Sequence, residues 1–261
     1  MPSMHEIDYK IFGDDMQFVE VELDPNEATV AEAGGMMYME DGIEMETIFG
    51  DGSQQQAGFL GSLMGAGKRL LTGESFFITL FGNAASVRRD VAFATPTPGK
   101  IFVADLKQWG GEIIAQKDAF LVAARGIDLD IAFTKKLGAG FFGGEGFILQ
   151  SLKGDGLAFL SASGTLIERD LARGEVLRVD TGCLVAMQAT VDYDIEMVKG
   201  VKNMVFGGEG MFYVKLTGPG RVIMQTLPFS RLAARVIAHA PAMQRQGGAA
   251  GILGGIIGDR G

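Results

Sequence analysis

Three glycine–glutamate pairs carry the most repeated polar side chain of the sequence: Glu74 in TGESFF, Glu145 in GGEGFI and Glu209 in GGEGMF. Carboxylates that recur in one local setting are the raw material for a ring of acids around a cation or polar ligand. The simpler reading is conformational. Glycine supplies a positive φ at the entry to a strand, and the glutamate takes a neighbouring backbone N–H or faces solvent. Cations stand ahead of each pair: Lys68 and Arg69, Lys135 and Lys136, Lys199 and Lys202. Gathered by an assembly, they would attract an anionic ligand or a lipid headgroup. Taken singly, each is the C-terminal end of a short solvated helix, where the dipole favours lysine. These residues form the candidate ligand-binding set, and they name no ligand.

Other chemistry finds less support. The histidines are His5 and His239, one near each end, so no histidine cluster is placed to hold zinc. Cys183, in TGCLVAM, reads as a small buried hydrophobe rather than a nucleophile. GSLMGAGKRL (61–70) brushes against a phosphate-binding loop, but Ser62 stands where the pattern needs glycine and Arg69 where it needs Ser or Thr. SASG (161–164) lacks the glycine spacing of a nucleophile elbow. The alternating acids Asp128, Asp130, Asp192 and Asp194 read as the solvated face of half-buried strands. No catalytic residue, metal site or cofactor is expected. A carboxylate-dependent enzyme or a small-molecule binding protein, with a site between repeats, is the alternative.

The elements that would position these residues are repeated. FGGEGFILQSLKGDG (142–156) and FGGEGMFYVKLTGPG (206–220) stand 64 positions apart, and GEIIAQKDAFLVA precedes the first as GEVLRVDTGCLVA precedes the second. A more eroded copy lies at the front, where NEATVAEAGGMMYM (26–39) aligns with RGEVLRVDTGCLVAM (173–187). Three tandem copies follow. The organisation is a first repeat over 1–105 with a glycine-rich insertion, a second over 106–169, a third over 170–240, and an apolar glycine-rich tail over 241–261. FILQSL, MFYVKL and SFFITL are β-formers ending in glycine-bearing turns, and a hairpin is expected across each turn. The best helical segment is 230–243.

The fold class is all-β, in small sandwich repeats. With 261 residues, 47% of them hydrophobic, the chain can bury a substantial core. Its 39 glycines, roughly twice the usual share, call for many tight turns. A net charge of −9 argues against nucleic acid as a partner. One cysteine and the start MPSMHEIDYK, with no apolar core after a basic segment, give cytoplasm as the expected location. Units of this size leave strand edges unpaired, and closed symmetry among chains satisfies such edges. The expected partner is therefore the chain itself, in a ring-like homotrimer. Peripheral membrane contact through the loop near 57–70 and the tail is a further expectation.

GES-FF-x-x-L after GKRLL, the paired GGEG-F and GGEG-MF segments and the GxLVAM phrase resemble uncharacterised bacterial relatives of the altered-inheritance-of-mitochondria (mitochondrial biogenesis) family. The resemblance covers about residues 4–240. It implies a TRAP-like fold, similar to the trp RNA-binding attenuation protein, with three such domains per chain and trimeric rings. It does not carry RNA or tryptophan binding with it, because fold alone is not function.

Overall fold

The protein is described by a computed structural model covering residues 6–32, 34–49, 77–135, 146–197 and 212–239. These residues form an all-β structure of four sheets with one α-helix. The first sheet runs β1 (Asp8–Phe12), β2 (Phe18–Leu23), β7 (Arg89–Ala94) and β4 (Met36–Met39). The second runs β5 (Ile43–Phe49), β6 (Phe77–Asn83), β3 (Ala28–Glu32), β10 (Phe120–Ala124), β13 (Leu157–Ser163) and β8 (Gly99–Asp105). The third runs β11 (Asp128–Lys135), β12 (Phe147–Lys153), β9 (Glu112–Gln116), β16 (Leu184–Gln188), β19 (Gly220–Gln225) and β14 (Leu166–Leu171). The fourth has three strands, β15 (Val176–Asp180), β18 (Phe212–Thr217) and β17 (Asp192–Met197). Helix α1 (Phe229–His239) follows β19.

Side-chain pattern explains the layers. In β2, FVEVEL, Val19, Val21 and Leu23 are buried while Phe18, Glu20 and Glu22 are only partly covered, the period of a strand with one face on a core. β10 and β12 differ: FLVAA is buried throughout, and so is FILQSL, because each lies inside a six-stranded sheet with both faces covered. The core is continuous across sheets. Phe81 of β6 meets Phe93 of β7 edge to face at 5.2 Å, joining the first and second sheets. Phe133 of β11 meets Tyr193 of β17 at 5.8 Å, joining the third and fourth. Polar groups caught inside are bonded: Asn83 Nδ2 donates to Leu23 O at 2.8 Å, and Ser151 Oγ to Glu112 Oε1 at 2.6 Å.

The hairpins expected across the repeated turns do not form. β12 pairs with β11 and β9, while β13, immediately after the KGDG turn, pairs with β10 and β8. β18 and β19 likewise part into the fourth and third sheets, and β6 and β7 into the second and first. Each turn is thus a corner between sheets. At the KGDG corner both strands, β12 and β13, are buried almost throughout, each covered on both faces.

The alternating acids fall where expected: Asp128, Asp130, Asp192 and Asp194 are exposed, with Leu129 buried and Tyr193 half-buried between them. The predicted helix starts one residue earlier than 230, at Phe229.

Candidate assembly interface

The two six-stranded sheets are built alike. In the second, β5-β6-β3 joins β10-β13-β8 through the antiparallel pair β3 and β10. In the third, β11-β12-β9 joins β16-β19-β14 through β9 and β16. The registers correspond: Val122 faces Ala31 at the first join, and Ala186 faces Ala115 at the second. The ladders make these residues counterparts, since Val122 and Ala186 lie opposite Phe159 and Ile223, and Ala31 and Ala115 opposite Thr79 and Gln150. The fourth sheet has the left half of this arrangement alone, ending at β15. The first sheet has the right half, ending at β4, and adds β1 beyond β2.

β4 and β15 are thus the strands whose counterparts elsewhere are interior. Among the described residues β4 pairs with β7 and β15 with β18. Their side chains show the difference. Met37 is 52% exposed and Val176 44%, whereas β10 is wholly buried and β16 nearly so. An unpaired strand of this kind presents a row of N–H and C=O groups to any matching edge.

Charged residues flank both edges. Around β4 lie Glu20, Glu40 and Asp90. The Tyr38 hydroxyl donates to Glu20 Oε2, and this bond with burial pushes the phenol up to about 12. Burial, reinforced by Glu20, Glu40 and Glu22, raises Asp90 above the usual carboxylate range. Farther from the edge, Lys10 pairs with Glu22, and Arg88 reaches Asp24 at 2.9 Å and Glu22 at 3.2 Å. On β15, Arg178 lies 3.6 Å from Glu196 and 5.7 Å from the centre of the Tyr213 ring. Lys215 of β18 lies directly opposite Arg178. Tyr213, Arg178 and Lys215 all act to hold Glu196 below its ordinary range, the Tyr213 hydrogen bond most strongly.

The residues singled out in the sequence are placed unevenly. Lys135 closes β11 opposite Phe147. Glu74, Glu145, Glu209, Lys68, Arg69, Lys136, Lys199 and Lys202 lie outside the described residues. A different recurrent glutamate is visible. Asn26, Gly111 and Gly174 have φ of +70°, +89° and +77°, and a glutamate follows each. Glu27 Oε2 accepts from Asp24 N at 2.8 Å and Glu175 Oε2 from Ala172 N at 2.9 Å, closing the turn before each strand. The recurrence of NE and GE at these aligned positions was the available signal. Cys183 is half-buried in a 3-10 turn ahead of β16, and burial with the nearby Asp180 charge raises its thiol. That environment disfavours a nucleophilic thiolate. Among the described residues no group of three or more His, Cys, Asp or Glu side chains is placed to hold a metal ion. No described helix is long and apolar enough to cross a membrane.

Known proteins are similar to this chain. An uncharacterised protein of Streptococcus pyogenes serotype M6 is 27% identical over 231 residues, covering 87% of this chain and 88% of the relative. A Streptococcus pyogenes protein solved by X-ray crystallography matches the fold with a TM-score of 0.69 at 21% identity, over 90% of this chain and all of that one. The family model described as mitochondrial biogenesis AIM24 matches residues 9–227, and the chain belongs to that family.

Proposed function

We propose that this protein is a non-enzymatic scaffold whose chains join edge to edge, β15 of one to β4 of the next, and close into a homotrimeric ring of nine TRAP-like units. The observation that carries this reading is the pair of joins already present within the chain. Applied to the open edges, their register sets Tyr38 opposite Val179, Met39 opposite Arg178 and Met37 opposite Asp180 of the neighbouring copy. The merged sheet would repeat the six-stranded pattern, with β1 added at its end. The residue counterparts come from the equivalent strand ladders, and the closure at three chains from the family resemblance. In this reading the apolar stretches 57–70 and 244–261 are the segments available to a membrane surface. The ring itself supplies a repeated platform rather than a reaction centre.

Backbone hydrogen exchange tests the pairing. The reading expects the amides of β4 and β15 to be protected at working concentration, as those of β10 and β16 are. It also expects the protection to vanish together in Met37→Lys, since an inward lysine blocks an edge. Rapid exchange of both strands in the unaltered protein would refute it.

A further inference from the structure

Helix α1 carries an apolar stripe that, among the described residues, is exposed at Phe229 and Val236 and part-buried at Leu232 and Ala233. Phe229, Leu232, Ala233 and Val236 follow the spacing of one helical face. Phe229 is 66% exposed and Val236 62%. The helix is anchored at its first turn, where Arg231 Nη2 lies 3.2 Å from Asp180 Oδ2 at the end of β15. It therefore starts beside the open edge.

The strand registers say what meets it there. Ala94, Ser161 and Gln225 are equivalent positions, facing Phe18, Ile101 and Leu166. Beyond them, Thr95 N donates to Gln17 O at 3.2 Å, and Thr226 N donates to Thr165 O at 3.2 Å. Gln17 thus stands where Thr165 stands. Thr165 is reached covalently from the preceding unit through Ser163 and Gly164, the counterparts of Leu227 and Pro228. In Gln17 the corresponding neighbour is Met16, the last residue of the turn between β1 and β2. Where the chain would run from one unit into the next, the ring has a break, with Pro228 and Phe229 on one side and Met16 on the other.

We infer that α1 of each chain docks on the β1–β2 turn of the next copy, seating Phe229 against Met16 and Arg235 toward Asp14 and Asp15. This rests on the ring reading and adds a second contact to each joint. The surfaces match in kind. Met16 is 67% exposed, and the Asp15 carboxylate is 98% exposed with Lys100 3.8 Å away. Arg235 is exposed on α1. The contact would close each chain-to-chain break on the rim opposite the charged face of β4, so that one junction is held by strand pairing and by a helix clasp.

Disulfide trapping tests the clasp. In a Cys183→Ser background, Met16→Cys with Phe229→Cys, oxidised at low concentration, is expected to give chains linked in twos and threes on a non-reducing gel. Either substitution alone is expected to leave single chains. Three-chain mass without any cross-link would overturn the clasp and leave the ring standing. Single-chain mass without cross-links would overturn both. A Phe229→Cys thiol that stays open to a soluble maleimide in the assembled protein, and becomes shielded on phosphatidylglycerol vesicles, would assign the helix to a membrane surface and also overturn the clasp.

Discussion

Val30 of β3 and Ala123 of β10 lie directly opposite one another, both fully buried, at the centre of the second sheet. They belong to successive copies of the repeat, so the chain seals one copy to the next by backbone pairing. Ile114 and Met187 repeat the arrangement in the third sheet. At the two ends of the series the counterparts are Arg178 and Met39, both exposed.

Substituting Met37 with lysine should separate the chains without unfolding them. The side chain is half exposed, so the folded chain is expected to change stability by no more than about 0.5 kcal/mol. Urea denaturation monitored by circular dichroism, alongside sedimentation, checks both halves of this expectation.

Gly174 occupies φ +77°, and Asn26 holds the equivalent turn at +70°. Gly174→Asn is therefore expected to be nearly silent, because asparagine visits the left-handed region readily. Gly174→Val should lose about 1–2 kcal/mol from steric conflict between its side chain and the backbone. Thermal denaturation of the pair separates backbone strain from lost contact, since a Cβ at this position would meet nothing within 4 Å.

Phe93 is fully buried against Phe81 between the first two sheets. Phe93→Ala is expected to cost about 3–5 kcal/mol, the sum of lost transfer energy and a residual cavity. Ile167→Ala, at a site 42% exposed, should cost far less. Denaturant midpoints at a common slope provide the comparison.

Tyr38 gives a pH signature. Its hydrogen bond to Glu20 and its burial move the phenol from an ordinary 10.0 to about 12. The folded chain then holds this proton more tightly than the unfolded chain does. The associated stability is complete below the unfolded value near 10.0 and fades as pH climbs through about 12. Ultraviolet titration of the phenolates should show a late step that Tyr38→Phe removes, and that Glu20→Gln shifts downward.

Periodicity made much of the fold legible. FVEVEL announces a strand with one buried face, and the aligned copies anticipate the likeness of the two joins. The corners were not legible. FILQSL and LAFLSAS are apolar on both faces, so their pattern says they are covered without saying which strand covers them. An adjacent turn then suggests a hairpin, while the competing burial of each strand beside a distant partner decides the outcome. The turn glutamates Glu27 and Glu175 could be aligned in sequence, but their role depends on a backbone N–H three residues earlier, which only the folded turn brings into reach. Among the glycine–glutamate and cationic candidates, only the backbone of Lys135 lies within the described residues.

The most direct test of edge-to-edge assembly is the absolute mass in solution, from light scattering coupled to size exclusion, of the unaltered chain and Met37→Lys. The account predicts three times 27.8 kDa for the first and 27.8 kDa for the second. A mass of 27.8 kDa for the unaltered chain across the working concentration range would contradict it.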